Sequence, residues 1–353
     1  MSSPDSESSS RAKPFAGLDP DCVLDALASV GLQGDGRLIQ LNSYENRVYQ
    51  VFLDDRRVVV AKFYRPQRWS DAQIAEEHEF LNQLAQAELP VAPAWPLATG
   101  TAERIEPRPK LLSPTLASFQ TQHGSYRFSV AQRLSGRAPE LGDPATLAWT
   151  GRLIGRMHAV GAQGRFTHRL SLDFATMGLA SRDWLLAQDI IPMDSLSTWK
   201  DAVNDALQAV EQAFKLASSE RTLRLHGDCH LGNILWTTQG PQFVDFDDAC
   251  MGPAVQDLWM LLSGDRASMT QQLGSVLEGY TSFMDFNHRE LQLIEPLRTL
   301  RMLHHSAWIA RRWSDPAFPV AFPWFSESAY WADQTVRLRE QVVLMAEPAL
   351  HWQ

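Results

Sequence analysis

The deciding stretch of the chain is HGDCHLGN at residues 226–233, and FVDFDD follows it at residues 243–248. Asp228 and Asn233 lie five positions apart in the first stretch, and Asp245 comes twelve positions after Asn233. Apolar residues on both sides of the segment TTQGP predict that the chain between the two stretches forms a β-hairpin. The hairpin would place Asp245 at a strand end, beside the loop that carries Asp228 and Asn233.

Two carboxylates and one carboxamide at this spacing are the groups that transfer of a phosphoryl group from ATP requires. Catalysis of that reaction is mostly positioning and charge neutralisation, so a rigid backbone should carry both the proton acceptor and the Mg²⁺ ligands. The interval between Asp228 and Asn233 equals that of the protein-kinase catalytic loop, and Asp245 corresponds to the aspartate of the kinase D-F-G segment. We therefore predict Asp228 and Asp245 as catalytic residues, Asn233 and Asp245 as metal ligands, and ATP as the co-substrate.

Two other interpretations of this stretch remain open. The acids could be solvated side chains at the ends of an ordinary hairpin. His226, Asp228 and His230 could instead form an alternating metal site, because imidazole and carboxylate suit zinc or iron. The metal-site interpretation leaves Asn233 and Asp245 without a role, whereas phosphoryl transfer uses both.

A second phosphate-binding element is predicted upstream, in the run VVVAKFY that contains Lys62. The run matches the kinase strand whose lysine reaches the α and β phosphates, although a lysine at a strand end can also be a simple solvated charge. Apolar periodicity predicts a helix over residues 71–84, with Glu77 on its apolar face. An inward glutamate needs a partner, so we predict that Glu77 pairs with Lys62, with Glu76 and Glu79 as the alternatives.

The nucleotide is also expected to meet two segments that lack the usual glycine-rich motif. Residues 41–52 contain no glycine, so backbone amides and the Ser43 hydroxyl would have to cover the phosphates. An ordinary turn between two strands is the alternative for this segment. The run FSVAQRLSG at residues 128–136 predicts a strand that ends in a hinge, where backbone groups can bond adenine. We place Gln132 of this run among the nucleotide-binding residues.

These motifs resemble those of the stress response kinases, bacterial serine/threonine protein kinases within the aminoglycoside phosphotransferase and choline kinase superfamily. The matching stretches spread over residues 15–345 and are LNSYENRVYQ at 41–50, KFYRP at 62–66, HGDCHLGNILW at 226–236, GPAVQDLWMLL at 252–262 and RRWSDPAFP at 311–319. The resemblance implies a proton-accepting Asp228, magnesium on Asn233 and Asp245, and an ATP contact at Ser43. It also implies a role in protecting bacteria from stress-induced death.

The resemblance and the expected strands and helices together predict an α+β, bilobal, protein-kinase-like fold. Its small N-terminal lobe would hold antiparallel strands with one helix, and its larger C-terminal lobe would be mostly helical. We expect a polar, disordered tail over residues 1–14, a nucleotide-binding lobe over 15–133, and a catalytic and substrate lobe over 134–353.

The composition of the chain is that of a globular enzyme. Of its 353 residues 44% are hydrophobic, and no run of eighteen apolar residues occurs, so we expect no membrane-spanning helix and no membrane partner. A formal charge of −9 argues against nucleic acid as a partner. Three cysteines, an odd number far apart in sequence, fit a reducing cytoplasm. We predict that Cys229, inside the catalytic loop, is a small filler, and a redox switch is the alternative.

The predicted function is phosphorylation of serine or threonine hydroxyls on proteins, including the kinase itself, by a monomer that uses ATP and Mg²⁺. The same chemistry on a small alcohol such as an aminoglycoside, choline or homoserine is the first alternative. A cationic acceptor would need a cluster of carboxylates, whereas residues 297–331 are rich in arginine and tryptophan. Those residues form either a wall for a substrate peptide or a helical core. The second functional alternative is a catalytically silent module that only binds nucleotide.

Overall fold

The computed structural model describes residues 14–98, 109–217 and 222–352. The predicted disordered tail therefore lies, except for Pro14, outside the described residues. The described residues form two compact units. The first contains the chain up to Asp71 together with Trp95–Arg133, and the second contains Ala72–Ala94 together with Leu134–Gln353.

The first unit is built on one antiparallel sheet, as the sequence predicts. Helix α1 spans Pro20–Ser29, and the strands are β1 (Gly34–Leu41), β2 (Arg47–Leu53), β3 (Val58–Phe63), β4 (Lys110–Ser113), β5 (Leu116–Thr121) and β6 (Gly124–Gln132). Their order in the sheet is β1-β2-β3-β6-β5-β4, and every neighbouring pair is antiparallel.

Strand β3 carries apolar side chains on one face of the sheet and Lys62 on the other. Val59, Ala61 and Phe63 alternate along it and are fully buried, because successive side chains of a strand point to opposite faces. Phe63 is the register partner of Phe128 on β6, and their rings stack with centroids 5.4 Å apart. Lys62 lies between Ala61 and Phe63, so its side chain projects from the other face of the sheet.

The second unit is mostly helical, which confirms the predicted fold class. Its helices are α2 (Asp71–Gln86), α3 (Pro144–Gly161), α4 (Ala180–Ala187), α5 (Met193–Ala217), α6 (Gln256–Trp259), α7 (Arg266–Tyr280), α8 (Ile294–Arg311), α9 (Ala317–Ala321) and α10 (Ser328–Ala346). A π-helical stretch over Phe174–Leu179 precedes α4. The strands are β7 (Leu223–Leu225), β8 (Ile234–Thr237), β9 (Gly240–Phe243) and β10 (Cys250–Gly252), and they form the pairs β7–β10 and β8–β9.

One part of the predicted division differs in the structure, because helix α2 was assigned to the lobe over residues 15–133. The segment Ala72–Ala94 belongs instead to the second unit. Phe80 on α2 is fully buried there, with its ring edge-to-face against Phe166 at 5.6 Å and against Phe246 at 6.2 Å. Periodicity identifies the apolar face of a helix but not the core that receives it.

Helix α3 packs closely against α7 at two glycines of α3. A Cβ added to Gly151 would lie 2.0 Å from the Val276 carbonyl oxygen of α7, and one added to Gly155 would lie 2.5 Å from the Tyr280 carbonyl oxygen. Neither position has room for a side chain. The backbones of α3 and α7 therefore touch. This packing fixes the position of α3, the helix that carries His158.

The aromatic residues between 297 and 331 mainly form a core. Phe318, Phe325 and Trp331 are fully buried, and Trp331 packs edge-to-face on Trp199 of α5 at 5.7 Å. Trp324 is the aromatic residue of this segment with substantial exposure. Of the two predictions for the segment, the structure therefore favours the helical core. Within the described ranges, no helix is long and apolar enough to cross a membrane.

Candidate active site

The predicted hairpin is present in the second unit and joins the two stretches that decide the fold. Strands β8 and β9 pair with Ile234 opposite Phe243, and the Val244 N–H donates to the Asn233 carbonyl at 3.0 Å. The loop at residues 226–233, called the catalytic loop below, leads directly into β8. Asp245 follows β9, so the structure brings Asn233 and Asp245 to the same end of the hairpin.

A buried carboxylate holds the start of the catalytic loop. Asp257 on α6 has no exposed surface and accepts the N–H groups of His226 at 2.8 Å and Gly227 at 2.9 Å. His158 donates to the same carboxylate from Nε2 at 3.0 Å, while its Nδ1 accepts from the Tyr280 hydroxyl at 2.9 Å. Asp257 therefore supports the loop, and His158 is a buried histidine with a hydrogen bond at each ring nitrogen.

Gly227 is required at its position in this loop. Its φ of +86° lies in the left-handed region, and a Cβ there would approach the Asp248 carbonyl oxygen to 2.1 Å. His226 donates from Nε2 to the Val244 carbonyl at 2.9 Å, which ties the loop to the end of β9. The backbone on both sides of Asp228 is therefore fixed before any substrate binds.

Asp228 is mostly buried and contacts two basic side chains. His230 accepts the Gly232 N–H at Nδ1, so its Nε2 carries the proton and points to Asp228 Oδ2 at 3.3 Å. Arg301 of α8 donates from Nη1 to the other carboxylate oxygen. Burial by itself raises the pKa of Asp228, but the His230 hydrogen bond and the Arg301 charge outweigh it and hold the pKa well below its usual range. Arg301 could not be predicted from the sequence, since no motif or residue spacing connects it to the catalytic loop.

Asn233 and Asp245 offer oxygen ligands that suit a hard divalent cation. Asn233 donates from Nδ2 to the Asp228 carbonyl at 3.0 Å, so its amide oxygen is the atom left to face a cation. Asp245 is exposed and has φ 61° and ψ 67°, a strained conformation for a non-glycine residue that is typical of functional positions.

A metal site made only of His, Cys, Asp and Glu is absent from the described ranges 14–98, 109–217 and 222–352, where no group of three such residues converges. The alternating histidine site is therefore not preformed, and His226 uses Nε2 for the Val244 carbonyl. A cation held by Asn233 and Asp245 would need further oxygen ligands, which is the usual situation of Mg²⁺ bound between a protein and nucleotide phosphates.

A buried arginine that the sequence analysis also missed supports the segment after Asp245. Arg169 donates to the Ala249 carbonyl at 2.5 Å, to the Asp247 carbonyl, and to the Gln73 carbonyl of α2 at 2.9 Å. Its guanidinium lies 3.4 Å from the Glu77 carboxylate, and both side chains are buried. Glu77 thus has a cationic partner inside its own unit. Its pairing with Lys62 joins residues of two units and stays a prediction.

Of the two alternatives to Glu77, Glu76 has a clear structural role. Its carboxylate accepts the N–H groups of Thr167 at 2.6 Å, His168 at 2.9 Å and Arg169 at 2.9 Å. Glu79 accepts a hydrogen bond from Gln83 at 2.9 Å on the exposed side of α2. The contacts of Glu76 fix the segment that carries Arg169.

The loop over residues 42–46, called the serine loop below, lies between β1 and β2 of the first unit. The Ser43 hydroxyl accepts the Asn46 N–H at 3.2 Å, which closes the turn. Arg65, just after β3, donates to the carbonyls of Glu45 at 2.9 Å and Tyr44 at 3.1 Å, and it pairs with the Glu45 carboxylate at 3.1 Å. The buried guanidinium therefore holds this glycine-free loop in one conformation.

The other nucleotide-binding predictions also fall in the first unit. Lys62 is on β3, with its Nζ 5.2 Å from the centroid of the Tyr64 ring. Gln132 is the exposed last residue of β6, paired in register with Val59. The structure brings Asp228, Asn233 and Asp245 together in one unit, and it places Ser43, Lys62 and Gln132 on the sheet and loops of the other.

Comparison with known proteins agrees with this arrangement. The phosphotransferase enzyme family matches residues 37–294, a range that contains the serine loop, Lys62 and the catalytic loop. Stress response kinase A of Escherichia coli strain K12 is 41% identical over 338 residues, which are 95% of this chain and 96% of that protein. The chain belongs to the phosphotransferase enzyme family.

The relatives and the solved structures that resemble this chain differ in their named activities. The serine/threonine protein kinase RdoA of Salmonella typhimurium strain LT2 is also 41% identical over 338 residues, with 95% and 96% of the two chains covered. Amicoumacin kinase hAmiN, solved in complex with AMP-PNP, Ca²⁺ and Ami, is 17% identical with a TM-score of 0.69, covering 95% and 96%. A choline/ethanolamine kinase family protein from Mesorhizobium loti is 15% identical with a TM-score of 0.55, covering 92% and 95%. The two solved structures share the fold of this phosphotransferase.

Proposed function

We propose that this phosphotransferase is an ATP- and Mg²⁺-dependent kinase of serine and threonine hydroxyls on proteins, and that it acts in a bacterial stress response. The observation that carries the proposal is the catalytic loop, whose buried support fixes Asp228 beside the hairpin end with Asn233 and Asp245. The names of the two 41% identical relatives support the protein acceptor and the stress response.

Asp228 would act on the acceptor hydroxyl. Its depressed pKa keeps the carboxylate ionised, so it orients the hydroxyl and accepts the proton as the bond to phosphorus forms. In a loose transition state, orientation of the hydroxyl matters more than a strong base. His230 donates to the second carboxylate oxygen and so determines which oxygen faces the acceptor.

Asn233 and Asp245 would hold the magnesium ion. When bound, this ion supplies neutralising charge at the phosphate oxygens. Arg169 contributes by fixing the backbone of Asp247 and Ala249, which limits the freedom of the adjacent Asp245. A rigid ligand matters here because Mg²⁺ requires close to ideal octahedral geometry.

We assign the nucleotide to residues of the first unit. Lys62 would reach the α and β phosphates with Glu77 orienting it, the serine loop would cover the phosphates, and the backbone around Gln132 would bond adenine. Arg65 supports the assignment of the serine loop, because it takes up carbonyl oxygens and does not compete for the N–H groups that phosphates need. The three cysteines are all free thiols, which supports a cytoplasmic enzyme.

A small-molecule kinase is the second candidate, and it is favoured by a different observation. The solved structures named above that share the fold are amicoumacin kinase hAmiN, at a TM-score of 0.69, and a choline/ethanolamine kinase family protein, at 0.55. The catalytic residues would keep their roles under this candidate, and the acceptor alone would change.

Label transfer tests the proposal. The purified protein is incubated with Mg²⁺ and γ-labelled ATP alone, with a cell extract, and with a panel of small alcohols, beside Asp228→Asn. We expect label on protein hydroxyls that the variant does not produce. Label only on a small alcohol would replace the protein kinase by the second candidate. Nucleotide binding without any transfer would contradict both.

A further inference from the structure

A cavity of about 370 Å³ opens in the second unit beside the Asp228 carboxylate. Its wall includes His230 and Arg301, and each of these side chains contacts one oxygen of Asp228. Trp259 and Leu262, both largely buried, contribute apolar surface to it. The cavity therefore lies next to the two basic side chains that hold the Asp228 carboxylate, which is a suitable position for an acceptor site.

The side chains that line this cavity include basic groups, although the formal net charge of the chain is −9. Arg298 and Arg301 both line it, and their spacing of three residues puts them on the same face of α8. None of the described residues that line the cavity is an aspartate or a glutamate. Such a wall disfavours a cationic acceptor such as choline and suits an anionic group.

Each of the two arginines lies beside a carboxylate and still has N–H groups that can donate to a second anion. Arg298 lies 3.5 Å from Glu295 and stacks over the Trp259 ring, with its guanidinium carbon 5.4 Å from the ring centroid. Arg301 pairs with Asp228 while 43% of its side chain stays exposed. A guanidinium has five N–H donors in a fork that matches carboxylate and phosphate, so both arginines can take a second oxyanion.

The contact between Arg301 and Asp228 has a cost for catalysis. The Arg301 guanidinium occupies an oxygen of the Asp228 carboxylate that the acceptor hydroxyl needs. An acceptor that brings its own anion offers Arg301 another partner. The same event would then bind the acceptor and free the carboxylate.

We propose that Arg298 and Arg301 select acceptors in which an anionic group lies next to the hydroxyl, and that Arg301 moves from Asp228 to this group when the acceptor binds. The inference rests on the proposed kinase function and specifies its substrate class. In a protein acceptor, the anion is the side chain of a glutamate, aspartate or phosphorylated residue adjacent to the serine. A small hydroxy acid would present the same chemistry.

The test compares acceptors that differ only in charge. Serine peptides carrying glutamate, glutamine or lysine beside the serine, and a hydroxy acid beside its neutral amide, are assayed for kcat/KM with the wild type, Arg301→Gln and Arg298→Gln. Arg337→Gln is the matched control, since Arg337 is an exposed helical arginine paired with a local acid, Asp333. Arg301 is itself not a core residue, since 43% of its side chain is exposed, so Arg301→Gln should fold.

We expect the wild type to prefer the glutamate peptide over the glutamine peptide by about tenfold, the effect of one charged hydrogen bond. Arg301→Gln should bring this ratio close to one, Arg298→Gln should reduce it, and Arg337→Gln should keep it. A preference limited to the hydroxy acid would support the anion site and make the acceptor a small molecule. An equal rate on all peptides, or a preference for lysine, would overturn the inference and leave the kinase proposal intact. Transfer to no acceptor would overturn both.

Discussion

The catalytic loop and the serine loop are each held by one buried charged side chain, but the two charges have opposite signs. Asp257 accepts backbone N–H groups at the start of the catalytic loop, at 2.8 and 2.9 Å. Arg65 donates to backbone carbonyls of the serine loop, at 2.9 and 3.1 Å. A carboxylate fixes a loop through its donors, whereas a guanidinium fixes one through its acceptors.

The sign of the supporting charge matches the groups that each loop is proposed to offer to its ligands. Under the proposed function the catalytic loop acts through the side chains of Asp228 and Asn233, so its backbone N–H groups can be used for support. The serine loop is proposed to meet phosphates, which bind backbone N–H groups, and an arginine leaves those donors out of its contacts. In a glycine-rich loop the backbone can approach phosphate because no side chains are in the way. In the serine loop the fixed conformation is proposed to serve the same purpose.

The largest expected effect lies in the catalytic loop, at its one proposed proton acceptor. Asp228→Asn should lower kcat about 10³-fold, within the usual contribution of a general base, because an amide cannot accept the hydroxyl proton. ATP affinity should stay close to that of the wild type. Label-transfer rates and nucleotide titration measure the two quantities. Asp201→Asn, an exposed acid on α5, is the control, and a loss of nucleotide affinity with turnover retained would refute the role given to Asp228.

The next effect tests the support of the same loop. Asp257→Asn replaces one acceptor oxygen by a donor that faces an N–H group, so the free energy of unfolding should fall by about 3 kcal/mol. Urea denaturation followed by fluorescence measures this change, with Asp285→Asn as an exposed control from the same unit. An unchanged midpoint would show that the buried carboxylate does not hold the loop.

A smaller effect is expected in the serine loop. Arg65→Lys keeps the positive charge but loses the fork that reaches the Tyr44 and Glu45 carbonyls, so ATP affinity should drop about tenfold, or ~1.4 kcal/mol. Calorimetric titration with Mg-ATP gives the affinity. Arg37→Lys, at an exposed pair with Asp35, should leave it unchanged. If both lysine variants bind ATP as the wild type does, the serine loop does not depend on Arg65 for binding.

The smallest effect concerns Cys229, which can report opening of the catalytic loop. Burial, with Asp257 and Asp228 nearby, raises the pKa of its thiol far above the usual value, and burial likewise raises the pKa of Cys250. Burial with Asp19 and Asp25 raises the pKa of Cys22 to about 11. At pH 8 a thiol reagent should therefore label the native protein slowly and Cys229 last, as mass spectrometry of the digested protein can show. Rapid labelling of Cys229 in the wild type would favour the redox-switch alternative.

Local patterns predicted the parts of the site that lie close together in the sequence. The hairpin could be predicted from the sequence because it depends on short-range features. These are the spacing of Asp228, Asn233 and Asp245 and the turn between β8 and β9. Asp257 follows the rule that a buried acid in an apolar helix start needs hydrogen-bond donors, and the catalytic loop supplies them.

Long-range contacts could not be derived in this way. Arg301 lies 73 positions from Asp228, and Arg169 lies 92 positions from Glu77, so no periodicity connects them. Both pairs depend on how helices pack, and that packing is decided by many side chains at once. For the same reason the apolar face of α2 was predicted correctly, while the core that receives Phe80 was not.

The central claim is that the two loops are held for different purposes, and steady-state kinetics tests it most directly. kcat and KM for Mg-ATP are measured in one series for the wild type, Arg65→Lys and Asp257→Asn, with ATP hydrolysis as the readout where no acceptor is known. We expect Arg65→Lys mainly to raise KM for ATP and Asp257→Asn mainly to lower kcat. The same change of KM and kcat in both variants would contradict it.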